Sequence, residues 1–253
     1  MTLLATHDLS KHFGGLAAVS HFDLTVDEGE IVGLIGPNGA GKTTCFNLLS
    51  GFLAPTTGTI HFRGENITGL KPHHIVKRGL VRTFQLTTLF QEITVIENVL
   101  LGLHTHSRTG VRRLLMSHRA FPPAEIAQAR AVLTFTGLAS HVEQLAKNLP
   151  HGHQRILGIA MALAAQPRLL LLDEPVTGMN LEESEHVMSL VKTIRDRGTT
   201  ILLVEHNMKA VMGTCERVVV LNFGQKLAEG TPAEVRDNQD VIEAYLGAGV
   251  NHA

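Results

Sequence analysis

The chain has 253 residues, of which 44% are hydrophobic and 18% charged, and its formal net charge is −1. This length suits one large domain, or one domain with a subdomain. The near-zero charge argues against a broad nucleic-acid-binding surface, so we expect no nucleic-acid partner. The sequence has no apolar run long enough for a membrane span, no signal-peptide pattern at its start and only two cysteines. We therefore expect a cytosolic, reduced protein.

The first part of the chain alternates between short apolar runs and turn residues. EIVGLIG at 30–36 predicts a buried parallel strand, because it is a short, uninterrupted apolar run that ends in glycine. KTTCFNLLSGFL at 42–53 has helical spacing and a glycine near its end, which predicts a helix. GTIHFRGENI at 58–67 alternates and contains turn residues, which predicts an antiparallel strand with a turn.

The middle of the chain has a different character, with apolar residues spaced for helices and with proline or glycine breaks. The segments with this spacing are TVIENVLLGLHTH at 94–106, GVRRLLMSHRA at 110–120 and PAEIAQARAVLTFTGLASHVEQLAK at 123–147. We interpret residues 92–159 as an inserted helical subdomain.

Strand signals return after this insert. They are RLLLLDEP at 168–175, TTILLVEHN at 199–207 and RVVVLNFGQKLAEG at 217–230, with a helix predicted over 182–198. The segment GPNGAGKTT at 36–44 lies between a predicted strand and a predicted helix and fits the P-loop pattern G-x-x-x-x-G-K-[ST]. With these strands, it predicts an α/β fold that has a P-loop NTPase core of parallel sheet and helices, an antiparallel β subdomain and the inserted helical subdomain. We expect a single domain over 1–253, in which 1–91 and 160–253 form the nucleotide-binding core with its antiparallel part.

The strongest chemical signal is GPNGAGKTT at 36–44, which fits G-x-x-x-x-G-K-[ST] with a strand before it and a helix after it. Backbone amides of such a loop cradle phosphates, and the helix N-terminus favours an anion. Lys42 would reach the β- and γ-phosphates and Thr43 would bind Mg²⁺. A glycine-rich turn that binds nothing is the plainer alternative, and the complete motif in its required context disfavours it. The candidate ATP-binding residues here are Gly36, Asn38, Gly39, Ala40, Gly41, Lys42, Thr43 and Thr44.

Two later strands also end in chemically active residues. Four leucines lead to Asp173, which would bind the metal, and Glu174 beside it would polarise an attacking water. His206 follows the next apolar strand, where it could contact the γ-phosphate. The alternatives are an acidic cap for the carboxylates and a structural role for the histidine. We expect ATP and Mg²⁺ as the ligands.

These residues, in this order, resemble the ATP-binding subunits of ABC transporters, and the resemblance covers essentially the whole chain. It implies that Gln85 in RTFQL is the Q-loop glutamine, with a catalytic and a metal-binding role. It implies that Asp173 and Glu174 are the Walker B aspartate and the catalytic glutamate, and that His206 is the switch histidine. It further implies that Phe13 stacks on adenine.

The signature motif is where the chain departs from this family. LPHGHQR at 149–155 stands where Leu-Ser-x-Gly-x-Gln is usual, so proline replaces serine. Proline suits the first turn of a helix but has no hydroxyl, so we expect the helix to persist and one phosphate contact to be lost. His151 and His153 flank Gly152, and two interpretations are open. Both histidines are tolerated polar residues, or a protonated His153 replaces part of the lost phosphate contact. The signature residues, which would act on the partner's ATP, are Leu149, Pro150, His151, Gly152, His153 and Gln154.

VIENVLLGLH at 95–104 and GTPAEVRDNQDVIEAYLG at 230–247 make the chain similar to the ATPases of branched-chain amino acid importers, the LivG type. This similarity implies import of branched-chain or related small amino acids or amides. It implies as partners a second ATPase subunit, identical or different, two transmembrane permease subunits and, indirectly, a periplasmic binding protein. The protein would then lie peripherally on the cytoplasmic side of the inner membrane.

Two other functions compete with this interpretation. A regulatory ATP-binding subunit with little turnover is supported by Pro150 and opposed by Glu174 and His206. A soluble ABC protein acting on ribosomes or DNA is disfavoured, because the chain has one cassette and no basic excess.

Two residues near these motifs have open roles. Cys45 follows the P-loop, and it is either a buried small hydrophobe or a thiol whose alkylation blocks ATP. Gly158 lies in a predicted helix interior, where glycine costs about 1 kcal/mol relative to alanine.

Overall fold

A computed structural model describes residues 1–83, 89–103 and 121–247. The strands are β1 Thr2–Phe13, β2 Leu16–Asp27, β3 Ile31–Ile35, β4 Thr57–Phe62, β5 Glu65–Asn66, β6 Leu80–Arg82, β7 Leu169–Asp173, β8 Thr200–Val204, β9 Arg217–Asn222 and β10 Gln225–Gly230. The helices are α1 Lys42–Leu49, α2 Pro72–Val76, α3 Val95–Leu103, α4 Pro123–Phe135, α5 His151–Ala164, α6 Leu181–Asp196, α7 Met208–Met212, α8 Pro232–Arg236 and α9 Gln239–Gly247.

A six-stranded sheet forms the centre of the molecule, in the order β10-β9-β3-β8-β7-β6. Its strands run parallel except β10, which forms an antiparallel hairpin with β9 at the edge. Every residue of β3, β7 and β8 is buried, as expected for parallel strands covered on both faces. The predicted parallel α/β core is confirmed.

Two hydrophobic cores lie on opposite faces of this sheet, and alternate residues of a strand enter each of them. Leu170 and Leu172 of β7 pack in the core formed with α3 to α6. Leu169 and Leu171 pack in the core that contains α1 and the second sheet. The alternation explains why the strand needs leucine at four consecutive positions.

The second sheet is antiparallel, with the order β2-β1-β4-β5. The predicted strand and turn over 58–67 are confirmed as β4, a turn at 63–64 and β5. The long hairpin of β1 and β2 was not predicted as a pair of strands. Its signal is weak because register shifts interrupt the inward–outward alternation at several points.

The helical part comprises α3, α4 and the first half of α5, which pack on one another. The helix predicted over 123–147 ends at Phe135, and two short 3₁₀ turns at Ala139–His141 and Ala146–Asn148 follow. The segment predicted as a helix at 110–120 lies outside the described residues. Helix α5 crosses the boundary expected between 159 and 160, and the division of the chain there remains a prediction.

Within the three described ranges, no helix combines the length and the apolarity that a bilayer crossing requires.

Two glycines in packed helices should respond oppositely to the same substitution. A Cβ added at Gly158 of α5 meets no heavy atom within 4 Å, whereas one added at Gly102 of α3 would lie 2.2 Å from the carbonyl oxygen of Met161. Gly158→Ala should therefore raise the free energy of unfolding by about 1 kcal/mol. Gly102→Ala should lower it, because α3 and α5 must separate. Urea unfolding followed by circular dichroism measures both changes, and two shifts of the same sign would contradict this packing.

Candidate functional site

The loop between β3 and α1 borders a cavity of about 500 Å³. Residues 38–44 line it together with Phe13 from the end of β1 and Glu174 from the end of β7. Phe13 is half-exposed at this position. The structure thus brings most of the predicted ATP-binding residues to one cavity, and it places the predicted catalytic glutamate on the same wall.

Gly41 shows why the loop must contain glycine where it enters α1. It caps the helix in a left-handed conformation, with φ of 104°, and a Cβ there would lie 2.5 Å from the carbonyl oxygen of Ala18. No side chain caps the first turn of α1. The positive end of the helix dipole is therefore directed at the cavity without a competing side-chain acceptor, as an anion site requires.

The ammonium group of Lys42 is held at the base of this loop. Its Nζ donates hydrogen bonds to the carbonyl oxygens of Gly36 at 2.6 Å and Pro37 at 3.0 Å. Burial lowers the pKa of Lys42, and the charges of Glu174 and Asp173 oppose that shift. The Lys42 side chain is thus largely buried, and it lines the same cavity as Glu174.

Glu174 occupies a strained backbone conformation, with φ of 47°. Its backbone N–H donates to the carbonyl oxygen of Val204 at 2.9 Å, and its Oε2 accepts a hydrogen bond from Thr177 Oγ1 at 3.2 Å. Nδ1 of His206 lies 3.7 Å from Oε1 of Glu174, and the histidine side chain is half-exposed. The carboxylate and the imidazole predicted to share the chemistry are therefore neighbours.

Asp173 is buried and paired with Arg82 from the end of β6. Arg82 Nη2 lies 2.7 Å from Oδ2 of Asp173, and both side chains are less than a tenth exposed. Arg82 Nη1 also donates to Asn47 Oδ1 at 2.7 Å and to Ser50 Oγ at 3.2 Å, both in or at the end of α1. One guanidinium group thus joins β6, β7 and the P-loop helix.

Thr43 and Asp173 offer the donors that a magnesium ion needs. Thr43 is exposed in the cavity, and Asp173 contributes a carboxylate. Oxygen ligands from one or two side chains, completed by phosphate oxygens and water, are typical of Mg²⁺ bound with a nucleotide. The donor set therefore fits the ion. Gln85, the third predicted metal ligand, lies outside the described residues.

The signature segment begins α5, whose first residue is His151. Pro150 is the N-cap with φ of −55°, and its carbonyl oxygen accepts a hydrogen bond from the N–H of Gln154 at 3.0 Å. The helix thus persists after proline, as predicted, but without a side-chain cap. Gly152 is buried against α6, where a Cβ would lie 3.1 Å from Oε1 of Glu183. Leu149, also buried, accepts a hydrogen bond from the Gln154 side chain at 2.9 Å.

The signature residues and the P-loop border different cavities in the single chain. Gly152 and His153 line one of about 310 Å³ together with α6, and none of its lining residues belongs to the P-loop cavity. Burial lowers the pKa of His153, and the nearby His141 and His186 lower it further, while Glu183 opposes them. His153 is therefore mainly neutral at pH 7 in the unpaired chain, which counts against a protonated His153 replacing the serine.

Some residues at this edge of the sheet escaped the sequence reasoning. Phe223 is 85% exposed in the β9–β10 turn and borders the P-loop cavity, as Phe13 does. Arg82 and Glu205 are charged residues directly at the ends of apolar strands, which is the same signal that identified Asp173. Thr177 has no such signal, since its hydrogen bond to Glu174 depends on the turn after β7.

A parallel sheet with a P-loop, an acidic pair after β7 and a histidine after β8 defines an ATP-binding cassette. A family model described as "ABC transporter" matches residues 19–177, and one described as "Branched-chain amino acid ATP-binding cassette transporter" matches residues 225–251. The chain belongs to the branched-chain amino acid family of ABC transporter ATP-binding proteins, and it is an ABC transporter ATPase.

Similar proteins agree with this assignment. The high-affinity branched-chain amino acid transport ATP-binding protein LivG of Salmonella typhimurium is 48% identical over 249 residues, which is 97% of this chain and 98% of that protein. The ADP conformation of MJ1267, an ATP-binding cassette of an ABC transporter, superposes with a TM-score of 0.89 at 29% identity, covering 98% of this chain and 99% of that one. The dimeric structure of the bacterial ABC transporter cassette MJ0796 matches with a TM-score of 0.77 at 26% identity, covering 91% and 99%.

Loss of the Arg82 side chain should destabilise the protein strongly. Arg82→Met leaves Asp173 buried without its cation, which typically costs about 3–5 kcal/mol. Adding Asp173→Asn should recover part of that loss, because the pair is coupled. Urea unfolding measures these changes. Arg78→Met, at an exposed pair with Glu65, is the control and should cost less than about 1 kcal/mol. A similar cost for both arginine variants would contradict the role given to the buried pair.

The two cysteines should resist alkylation in the folded chain. Cys45 is fully buried in α1 and Cys215 nearly so, and burial raises the pKa of each thiol to about 12. At neutral pH the thiolate fraction is then on the order of a thousandfold below that of a free cysteine. Maleimide labelling followed by mass spectrometry should find neither thiol modified under native conditions and both in guanidinium. Fast native labelling of Cys45 that ATP prevents would instead support a reactive thiol beside the nucleotide.

Proposed function

We propose that the cavity at the P-loop binds ATP and that residues at the ends of neighbouring strands, among them Glu174 and His206, hydrolyse it. The observation that carries this proposal is the single cavity that residues 38–44 share with Glu174. Gly36 to Thr44 would bind the phosphates, with Lys42 at the β- and γ-phosphates and the α1 amides around them. Phe13 would stack on the adenine, and Phe223, on the same cavity, offers a second aromatic face.

The hydrolytic step would use groups that already lie together. Glu174 would polarise the attacking water, since its carboxylate borders the cavity and is held by Thr177. His206, beside that carboxylate, would contact the γ-phosphate. Gln85 would assist as the Q-loop glutamine by resemblance to the family.

Thr43, Asp173 and Gln85 would hold Mg²⁺, which supplies charge neutralisation at the β- and γ-phosphates when it is bound. Arg82 occupies Oδ2 of Asp173. Arg82 thus orients the carboxylate of Asp173.

The signature residues would act on the nucleotide of a second ATPase subunit. Gly152 and His153 line a cavity that shares no residue with the P-loop cavity, which supports contact with a phosphate on another chain. The dimeric cassette that this chain resembles supports such a pairing. We propose a head-to-tail pair, with an identical or a different ATPase subunit, that closes on ATP and reopens after hydrolysis.

The pair would energise two transmembrane permease subunits fed by a periplasmic binding protein, from the cytoplasmic side of the inner membrane. The cargo would be branched-chain or related small amino acids or amides, as the function of the LivG relative and the match over 225–251 suggest. Residues 1–91 and 160–253 would form the nucleotide-binding core of this single domain, and 92–159 its helical subdomain.

Pro150 favours a second function, a regulatory subunit that binds ATP with little turnover. Proline provides neither a hydroxyl nor an N–H at a position where the family has serine. The lost hydrogen bond to a charged group corresponds to roughly 1.5–3 kcal/mol, or about ten- to a hundredfold in rate. Glu174 and His206 remain in place, which favours slow hydrolysis over none.

The first test is the steady-state Mg-ATPase activity of the full-length chain, with Glu174→Gln as the blank. Pro150→Ser should raise the rate at least about tenfold, because it restores the phosphate contact in the self-paired dimer. A wild-type rate above the blank that serine leaves unchanged would show that the hydroxyl is dispensable. No turnover above the blank in wild type and Pro150→Ser alike would favour the regulatory function.

Pro122→Ser provides a matched control for this substitution. Pro122 is likewise an N-cap proline without a side-chain cap, with φ of −56°, at the start of α4. Serine should improve capping of both helices by similar amounts. Only Pro150→Ser should change the ATPase rate, and an equal gain in Pro122→Ser would assign the effect to stability.

A further inference from the structure

Glu205 is a fully buried carboxylate with no role in the mechanism above. It follows β8 directly, and all its hydrogen bonds described here are to backbone amides. The N–H of Val176 donates to Oε1 at 3.0 Å. The N–H groups of His206 and Asn207 donate to Oε2 at 3.1 and 3.2 Å.

These bonds join the loop after β7 to the loop after β8. The two strands pair in register up to Asp173 and Val204, and the N–H of Glu174 still donates to Val204. Beyond that point the described backbone pairing between them ends. Glu205 then connects Val176, two residues after Glu174, to the backbone of His206.

We propose that Glu205 is a positioning residue that fixes the distance between Glu174 and His206 for ATP hydrolysis. This inference rests on the proposed function, in which those two side chains act on the water and the γ-phosphate. The Glu174 backbone is strained and the His206 side chain is half-exposed, so the distance between the two side chains depends on how the loops that carry them are anchored. Anchoring both flanking loops to one buried side chain reduces their relative motion before the reaction.

A carboxylate suits this role because each of its two oxygens accepts hydrogen bonds and neither donates. The oxygen of a glutamine could accept hydrogen bonds from the amides of one loop, but its NH₂ group would face the N–H groups of the other loop. Burying the carboxylate is offset by three charge-assisted hydrogen bonds. Burial lowers the pKa of Arg155 in α5, and the charges of Glu174, Glu205 and Asp173 oppose that shift.

The test is a double-mutant cycle on the full-length chain, with kcat and KM for ATP as readouts. Glu205→Gln should lower kcat about tenfold and leave KM within about twofold, because nucleotide binding uses other residues. In the His206→Ala background, Glu205→Gln should cause no further loss, because the group that it positions is gone. Glu205→Asp keeps the charge but is too short to reach both loops, and its kcat should fall similarly.

Glu216→Gln is a control at a half-exposed carboxylate, which is paired with Arg195 but also accepts a backbone N–H, from Ile31 at 2.5 Å, at the opposite end of β3. It should leave kcat unchanged. The inference would be overturned if Glu205→Gln left kcat unchanged. It would also be overturned if the fold-loss of kcat in the double variant equalled the product of the losses in the two single variants. Unchanged kcat in His206→Ala would instead refute the proposed role of His206.

Hydrogen exchange of the wild-type chain tests the geometry even if the variants fail to fold. The amides of Val176, His206 and Asn207 should exchange as slowly as those within β8. Fast exchange of these three amides beside a protected β8 would show that the carboxylate does not hold the loops, and it too would overturn the inference.

Discussion

The in-register parallel pairing of β7 with β8 is the constraint on which the site depends. It sets Asp173 opposite Val204, so the chain leaves both strands at the same level of the sheet. Glu174 and His206 can approach to 3.7 Å only because these exits are adjacent. A slip of one residue would only exchange the leucines of β7 between the two hydrophobic cores, so these four leucines do not fix the register by themselves.

Two buried charges maintain this edge of the sheet from opposite sides. Arg82 ties the end of β7 to β6 and to the P-loop helix, and Glu205 ties the loop after β7 to the loop after β8. Each charge has its hydrogen-bond partners inside the fold, which is the condition under which a buried ion is tolerated. The end of β7, which carries the two proposed functional carboxylates, and the end of β8 are thus anchored by these two side chains.

Much of this arrangement could be predicted from local sequence patterns. Short segments of the sequence are enough to predict the P-loop, the apolar strands β3, β7 and β8, and the residues that follow these strands. The β1–β2 hairpin escaped because its alternation is broken by register shifts, and Arg82 escaped because its partner is 91 positions away. Glu205 bonds to His206 and Asn207 beside it in the chain, but also to Val176, which is 29 positions away. The sequence therefore shows the charged residue but not the loop that it anchors.

The position of Pro150 separates the two halves of the proposed reaction. The P-loop cavity and the cavity beside Gly152 share no lining residue, so in the proposed pair the proline would weaken the site on the partner's nucleotide and leave this chain's own P-loop site intact. In a pair of identical chains both sites would lack the serine contact. Beside a different subunit with an ordinary signature, the nucleotide on this chain's P-loop would meet a complete site, while the other site would be slow. A substitution that weakens catalysis in a homodimer is thus compatible with one fast site per transporter, which is why the nature of the second subunit decides the effect of Pro150.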